Sequence, residues 1–254
     1  MKRPRHNWEF SVKIAVISDI HGNYQALKAV LREINTLGCD HIICLGDVAT
    51  IGPQPREVLD TLRALDARFV KGNHDAVLLH PAMKKEYAIA PVLSADIDWC
   101  AERLTPEDFS FLESFDDCQR LPLREGEAML GYHGSPRSIV ENIYPEEAGR
   151  ELRDLFASFP ERLLAGGHTH IQMLRNLDGR WLINPGSVGQ PFVHPPVQGK
   201  PPRLLKHAEW AMVTIRNKNL SVELNRTNYD ISRYCKIIEK SSLPVKKWLL
   251  EQYT

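Results

Sequence analysis

The stretch from Val12 to Gly22, V-K-I-A-V-I-S-D-I-H-G, begins as an apolar, β-branched run and ends abruptly in polar residues. Such a run is typical of a buried β-strand that stops at a turn. Asp19 and His21 are two positions apart, and side chains at i and i+2 of an extended segment point the same way. A carboxylate and an imidazole would then leave the strand side by side, which suits a metal ion with oxygen and nitrogen ligands. An isolated D-x-H is also an ordinary polar turn, so the interpretation depends on similar strand ends elsewhere.

The composition is that of an ordinary globular protein. The chain has 254 residues, which is enough for one large or two small domains with a sizeable core. We expect a single domain over residues 1–254, in which residues 1–10 form a flexible N-terminal tail. The formal net charge is zero, so no overall field attracts nucleic acid or an anionic membrane, and a nucleic-acid partner is not expected.

The cysteines and the N-terminal segment indicate a compartment. The five cysteines are an odd number and contain no C-x-x-C pair, which favours free thiols in a reducing compartment. The apolar run after the basic N-terminus is short, contains Lys13 and leads into the D-x-H turn, so it predicts a core strand and not a signal peptide. No stretch is long and apolar enough to span a bilayer. We therefore expect a cytoplasmic protein with no membrane association.

Strand-like and helix-like segments alternate along much of the chain. After the first strand, apolar runs predict strands near 41–45, 68–70, 128–132, 162–165 and 181–183. The helix after the first strand has Asn23 at its N-cap position and Gly38 at its C-terminal end. Residues 208–224 predict a hairpin, and residues 231–251 predict helix that is interrupted at Pro244.

Residues 76–122 break this alternation. Apolar spacing predicts short helices near 81–92, 94–103 and 106–114, and we interpret the whole segment as a helical cap insertion over the strand ends. The alternative is a set of ordinary core helices. The proline-rich segment 190–202 predicts an irregular surface loop.

Residues of metal-binding types follow five of the apolar runs. They are Asp19, His21, Asp47, Asn73, His74, His133, His168 and His170. Each has a simpler interpretation on its own, as a helix cap, a turn residue or a buried histidine, but five strands ending in the same way argue for one site. Ligands bind at the carboxyl edge of α/β sheets. Imidazole, carboxylate and amide groups without a thiolate suit Mn, Fe or Zn and disfavour an all-oxygen Ca or Mg site.

The series of motifs resembles the calcineurin-like metallophosphoesterase superfamily, and in particular its small bacterial and archaeal members. The blocks D-x-H, G-D, G-N-H-D/E, H and G-H-x-H stand here as Asp19-Ile20-His21, Gly46-Asp47, Gly72-Asn73-His74-Asp75, His133 and Gly167-His168-Thr169-His170. The resemblance implies an α/β fold with two facing mixed β-sheets flanked by helices, a four-layer αββα sandwich with a helical cap.

The resemblance also implies a role for each motif residue. One metal would be bound by Asp19, His21 and His170; the second by Asn73, His133 and His168. Asp47 would bridge two divalent transition-metal ions (Mn, Fe or Zn), and a metal-bridging hydroxide would attack phosphorus in line. His74 is the candidate general acid, with Asp75 as its orienting partner, although His74 could serve only as a supporting hydrogen-bonding group.

By this resemblance the chain is a hydrolase of phosphorus esters. We expect a small phosphorylated substrate, such as a nucleotide, and a phosphodiesterase or dinucleoside-polyphosphate hydrolase. The alternatives are a phosphomonoesterase, including a protein phosphatase, and a non-catalytic scaffold. Ile51 stands where phosphoprotein phosphatases of the superfamily have an arginine, which weakens the protein phosphatase alternative. Substrate-binding residues are not assigned, and the sequence gives no oligomeric state.

Basic and aromatic residues of the insertion offer a further hypothesis. Lys84, Lys85, Tyr87, Trp99 and Arg103 could recognise phosphate or stack on a base. Solvated charges and core aromatics are the simpler interpretation for each of them.

Overall fold

The computed structural model describes residues 11–87, 89–123, 127–197, 201–217 and 219–253. The flexible tail expected over residues 1–10 lies outside this described part. The strands are β1 (Ser11–Ile17), β2 (His41–Cys44), β3 (Arg68–Phe69), β4 (Cys118–Pro122), β5 (Ala128–Tyr132), β6 (Leu163–Ala165), β7 (Met173–Leu177), β8 (Arg180–Asn184), β9 (Ala208–Arg216) and β10 (Asn219–Thr227). The helices are α1 (Tyr24–Leu37), α2 (Pro55–Arg63), α3 (Asn73–Leu79), α4 (Met83–Glu86), α5 (Pro91–Ala101), α6 (Pro106–Glu113), α7 (Gly149–Leu155), α8 (Ile231–Lys240) and α9 (Lys246–Glu251).

The strands form two mixed sheets of five. The first has the order β10-β9-β1-β2-β3, with β1 parallel to β2 and antiparallel to β9. The second has the order β4-β5-β6-β8-β7, in which β5, β6 and β8 are parallel and the edge strands β4 and β7 are antiparallel. The parallel strands of each sheet therefore end at a common edge.

The two sheets face each other across an apolar layer. Alternate residues of β1 point to opposite sides, as the period of a strand requires. Ile14 and Val16 pack with Met129 of β5 between the sheets, whereas Ala15 and Ile17 pack with the helices on the outer face. The predicted arrangement of two facing mixed sheets is confirmed.

Helices cover the outer faces and complete four layers. Leu27 of α1 and Leu59 of α2 are fully buried against the first sheet. Leu152 of α7 packs against Leu130 and the second sheet. Burying one such leucine contributes about 1.5–3 kcal/mol relative to leaving it exposed, so these faces hold the layers together.

The first helix begins and ends as the sequence predicts. The Asn23 side chain accepts a hydrogen bond from the backbone N–H of Ala26 at 3.0 Å and so caps α1. Gly38 ends the helix with a φ of 70°, a left-handed conformation that glycine adopts without steric cost.

Residues 76–122 differ from their predicted boundaries. Helix α3 already begins at Asn73, and α4 has only four residues. Helix α5 begins at Pro91, which is tolerated in the first turn of a helix but not inside a longer one. Residues 118–122 are strand β4, which pairs with β5 and belongs to the second sheet. The sequence analysis also missed β7. Both are edge strands with mixed polarity, so they lack the continuous apolar runs of the buried strands.

The C-terminal part is built into the first sheet. The predicted hairpin is confirmed as β9 and β10, and β9 pairs with β1 from Ser11–Arg216 to Val16–Ala211. Helices α8 and α9 follow, with Pro244 between them as predicted. Within the described residues, no helix combines the length and apolar character needed to cross a membrane.

Candidate metal centre

The loops that follow the parallel strands are joined by main-chain hydrogen bonds. Asp19 N donates to the carbonyl of Gly46 at 2.9 Å, and Gly167 N donates to the carbonyl of His133 at 2.8 Å. Val188 N donates to the carbonyl of Ser18 at 2.9 Å and thereby connects the strand ends of the two sheets. These bonds bring polar strand ends that are far apart in the sequence to one site.

Most of the predicted ligands have left-handed backbones. Positive φ angles occur at Asp19 (53°), His21 (47°), Asp47 (55°), His168 (65°) and His170 (57°). The prediction that Asp19 and His21 leave an extended segment is therefore wrong. Left-handed non-glycine residues cost on the order of 1–3 kcal/mol each and persist only where the surroundings hold them, which is common at functional sites.

One carboxylate oxygen of Asp19 is held in place and the other is free for a ligand. Oδ2 accepts hydrogen bonds from Ser18 Oγ at 2.6 Å and from the backbone N–H of His168 at 3.0 Å. Oδ1 is buried without a well-aligned hydrogen bond from any described residue, and it lies 3.2 Å from His170 Nε2. An orphaned carboxylate oxygen of this kind needs a cation or another partner.

The first cluster consists of Asp19, His21 and His170. Nε2 of His21 and Nε2 of His170 are 3.1 Å apart, and the potential ligand atoms of all three residues lie within 4.8 Å of one another. Nδ1 of His170 donates to the carbonyl of Gln190 at 2.7 Å. This contact fixes the ring orientation and presents Nε2 to the centre, as the supporting contacts of metal-bound histidines do.

The second cluster consists of Asp47, His133 and His168, again with ligand atoms within 4.8 Å. Nδ1 of His133 donates to the carbonyl of Leu45 at 2.7 Å, and its Nε2 lies 3.0 Å from Oδ1 of Asn73. The structure thus brings together the residues that the resemblance assigns to the second ion.

Asp47 lies between the clusters. Its Oδ1 accepts a hydrogen bond from the backbone N–H of His74 at 2.8 Å. Its Oδ2 lies 3.4 Å from His133 Nε2 and 3.9 Å from His21 Nε2, so it faces one residue of each cluster. A carboxylate in this position has the placement that a bridging ligand requires.

The buried charges have strongly shifted pKa values. Burial raises the pKa of Asp19, but His170 and His133 outweigh burial and lower it to about 2. Burial also opposes the charge of Asp47, yet the surrounding imidazoles, led by His133, hold its pKa well below the usual range. Burial and His170 lower the pKa of His21 to about 3. At neutral pH the carboxylates are charged and His21 is neutral, which are the metal-binding forms of these groups.

The donor set fits two divalent transition-metal ions. It combines carboxylate oxygens with imidazole nitrogens, and backbone carbonyls hold the rings of His133 and His170 through their Nδ1 atoms. Imidazole-rich sites of this kind suit Mn, Fe or Zn better than Ca or Mg.

His74 and Asp75 have different surroundings from those predicted. Asp75 accepts hydrogen bonds from the backbone N–H groups of Asp47, Val48 and Gly72 at 2.8–3.0 Å, so it holds the Asp47 loop and does not orient His74. Burial and then Asp47 raise the pKa of Asp75 to about 6. Nδ1 of His74 instead lies 2.9 Å from the hydroxyl of Thr50.

The sequence analysis missed several residues that support the centre. Gln190 and Phe192 were expected in a surface loop, but Gln190 is buried and Phe192 stacks on His170 with a centroid distance of 4.2 Å. Gln190 Nε2 also donates to the carbonyl of Ile51 at 2.7 Å. Their position just after the segment N-P-G-S-V-G, residues 184–189, was the one available signal.

A cavity of about 750 Å³ opens above both clusters. Its floor includes His21, Asp47 and His168, and His74 lines it as well. Leu93 of α5 contributes to the wall, so part of the 76–122 segment lies at the site. The interpretation of that segment as a cap remains a prediction.

Comparison with known proteins agrees with this geometry. Residues 12–200 match the calcineurin-like phosphoesterase superfamily domain. An uncharacterised protein of Methanocaldococcus jannaschii is 32% identical over 265 residues, covering 94% of this chain and 96% of that protein. A crystal structure of a metallophosphoesterase from Sphaerobacter thermophilus is 27% identical with a TM-score of 0.69 and covers 94% of this chain and 98% of that one.

A more local similarity involves a nucleotide hydrolase. The symmetrical bis(5'-nucleosyl)-tetraphosphatase of Cronobacter sakazakii is 42% identical over 67 residues, which is 25% of this chain and 24% of that enzyme. The family match, by contrast, spans most of the chain and contains every predicted ligand. On this match and on the convergence of the ligands, the chain belongs to the calcineurin-like phosphoesterase superfamily.

Proposed function

We propose that the protein is a binuclear metal-dependent hydrolase of phosphoric esters, and specifically a phosphodiesterase. The observation that carries the proposal is the pair of clusters, with Asp47 between them, on the floor of a substrate-sized cavity. The family is metal-dependent and acts on phosphorylated substrates, which supports the same class of reaction.

The residues around the cavity suit displacement at phosphorus. Two divalent ions held by these clusters would lower the pKa of water and neutralise charge on the phosphoryl oxygens. Asp47 and Asp19 are fixed by backbone and hydroxyl donors, so the site is organised before substrate binds.

His74 is the proposed general acid for the leaving oxygen. Its ring lines the cavity beside the Asp47 loop, and Thr50 holds its Nδ1 side. Burial lowers the pKa of His74, while a bound phosphate anion would favour the protonated ring. Positioned acids of this kind contribute about 10²–10⁴-fold to rate.

A dinucleoside-polyphosphate hydrolase is the second candidate. The local similarity to the Cronobacter sakazakii tetraphosphatase favours it, although the aligned region is about a quarter of each chain. A phosphomonoesterase and a non-catalytic scaffold are further outcomes that the following experiment distinguishes.

The test measures hydrolysis of bis-p-nitrophenyl phosphate and p-nitrophenyl phosphate by metal-stripped protein reconstituted with Mn²⁺. We expect turnover of the diester by the wild type and its loss in Asp47→Ala. The matched control is Asp66→Ala, which removes an exposed aspartate.

Each outcome has a defined meaning. Preference for the monoester would replace the phosphodiesterase proposal with a phosphatase. Stoichiometric Mn²⁺ binding without turnover of either ester or of diadenosine tetraphosphate would favour the scaffold. Equal activity in Asp47→Ala and the wild type would show that hydrolysis does not take place at this centre.

A further inference from the structure

We infer that the substrate is a phosphoric ester with an uncharged, ring-sized apolar group beside the scissile phosphoryl group and no further phosphates. The inference rests on the proposed function, because the wall can contact the ester substituent only if the metal centre binds the phosphoryl group. It follows from the contrast between the polar floor of the 750 Å³ cavity and its apolar wall.

The apolar wall comes from three separate parts of the chain. Leu93 lies near the start of α5, Phe192 lies in the loop after β8, and Trp248 lies on α9. All three line the cavity and pack with the same apolar cluster, which also contains Ile51. A cavity of this volume is typical of small-molecule sites, in which apolar walls provide affinity and a few polar groups fix orientation.

The described lining of the cavity includes no lysine or arginine. Two of the three cations that the sequence suggested for phosphate recognition are engaged elsewhere in the structure. Lys84 forms an ion pair with Asp98, and the Arg103 guanidinium lies 3.8 Å from the ring centroid of Trp99. Among the described residues, positive charge for phosphate therefore comes from the metal centre and its imidazoles.

Two polar side chains in the wall, those of Gln190 and Thr169, already form hydrogen bonds within the protein. The Gln190 amide donates to the carbonyl of Ile51 at 2.7 Å, and Thr169 accepts a hydrogen bond from Asn184 at 3.0 Å. Each additional phosphate of a polyphosphate chain would lose hydration and need charged or hydrogen-bonding partners. The rest of the described wall is mainly apolar, which favours a monoanionic diester over a dinucleoside polyphosphate.

The first experiment measures binding without turnover. Diphenylphosphinate and dimethylphosphinate are non-hydrolysable monoanions that share a tetrahedral PO₂⁻ group and differ in their apolar substituents. We expect calorimetry on the Mn²⁺-loaded full chain to show at least about tenfold tighter binding of the diphenyl compound, because burial of apolar area is favourable. Equal affinities would overturn the inference.

Substitutions in the cavity wall test whether the wall produces the preference for the diphenyl compound. Leu93→Asn is expected to reduce the diphenyl-to-dimethyl ratio at least about threefold, since it replaces apolar wall by a polar amide. Val92→Asn is a second variant at a cavity position that is 56% exposed, where folding is less affected. Leu174→Asn on β7, at an exposed apolar position outside the cavity lining, is the matched control. An unchanged ratio in both cavity variants would contradict the inference.

Measurements of ester hydrolysis distinguish a failure of this inference from a failure of the proposed function. Phenyl p-nitrophenyl phosphate and methyl p-nitrophenyl phosphate share a leaving group and differ in the second substituent. The ratio of their kcat/KM values, corrected for their alkaline hydrolysis rates, therefore measures how the cavity wall contributes to substrate preference. We expect at least about tenfold preference for the phenyl ester. A higher kcat/KM for diadenosine tetraphosphate would overturn the inference and leave phosphorus hydrolysis standing. Hydrolysis of none of these esters, with diphenylphosphinate still preferred, would contradict the proposed function alone.

Discussion

At the scale of single residues, the site depends on the close approach of backbones. A Cβ atom on Gly167 would lie 2.1 Å from Ser18 Oγ and 2.9 Å from Asp19 Oδ2. Both contacts are shorter than real side chains tolerate, so a larger residue must displace the carboxylate of Asp19 or the Ser18 hydroxyl that donates to it. Glycine at this position is therefore part of the ligand geometry.

Gly167→Ala is expected to weaken Mn²⁺ binding about 10- to 100-fold, the range seen when groups that support metal ligands are disturbed. Titration calorimetry of metal-stripped protein measures this directly. Gly149→Ala is the matched control, because its added Cβ would meet no atom closer than 3.6 Å. Unchanged Mn²⁺ affinity in Gly167→Ala would show that the loop relaxes without moving Asp19.

His74 gives a second prediction at this scale. If it protonates the leaving oxygen, His74→Asn should lower kcat by about 10²–10⁴-fold for a phenyl ester, whose leaving group is poor. The loss should be much smaller for p-nitrophenyl esters, because p-nitrophenolate leaves without a proton. Steady-state kinetics on the two ester types test this, with Thr50→Val as a variant that removes only the contact to Nδ1. Equal losses for both leaving groups would assign His74 a purely structural role.

At the scale of elements, α5 is tied to the loop that follows Asp47. Ile51 in this loop has a φ of 61°, which is strained for a β-branched residue. Its backbone N–H donates to Oδ2 of Asp96 on α5 at 2.7 Å, and its carbonyl accepts from Gln190. The strained residue is therefore held from two sides, and the helix fixes one wall of the cavity.

Asp96 makes stability depend on pH. It is fully buried, and burial raises its pKa from 3.8 to about 7 although the Ile51 N–H opposes the shift. The folded chain thus binds this proton more tightly than the unfolded chain. The contribution of protonated Asp96 to folding stability is complete below pH 3.8 and is lost as pH rises through about 7.

We expect the difference in unfolding free energy between wild type and Asp96→Asn to fall by about 2 kcal/mol from about pH 5 to about pH 8. Denaturant titrations at several pH values measure it, and the comparison cancels proton effects of the metal ligands. Asp98→Asn serves as the control on the same helix, since Asp98 is largely exposed. Parallel curves for wild type and Asp96→Asn would contradict the prediction.

At the scale of the whole molecule, the centre joins the two sheets. Asp19 and His21 follow β1 of the first sheet, whereas His170 follows β6 of the second. An ion bound by all three would connect the sheets, and it would bind the folded chain far better than the unfolded chain. Metal binding should therefore stabilise the sandwich as a unit.

Adding Mn²⁺ to metal-stripped protein is expected to raise the Tm, with stabilisation of about 2.7 kcal/mol when free metal is a hundred times Kd. Calorimetric melting provides the measurement. Ca²⁺ should give a smaller rise because it prefers oxygen ligands to imidazole. An equal rise in Asp47→Ala would mean that the stabilising ion binds at another site.

The sequence by itself determined the kinds of residues at the site and the order of the strands that carry them. Apolar runs that end in Asp19, Asp47 or His133 are local patterns, and burial of such runs depends mainly on composition. The same locality explains why the cap of α1 at Asn23 was predicted correctly. The edge strands β4 and β7 were missed because their mixed polarity resembles that of loops.

Only the tertiary structure decided how these residues are oriented. His21 and His170 are ligand neighbours although they lie 149 positions apart, and their left-handed backbones are fixed by loops from other strands. The contacts of Thr50 with His74 and of Gln190 with His170 also join separate segments, which lie 24 and 20 positions apart. The apolar cavity wall brings α5 and α9 together in the same way. Such contacts depend on the packing of the two sheets, and the local periodicity of a sequence does not indicate how distant segments pack together.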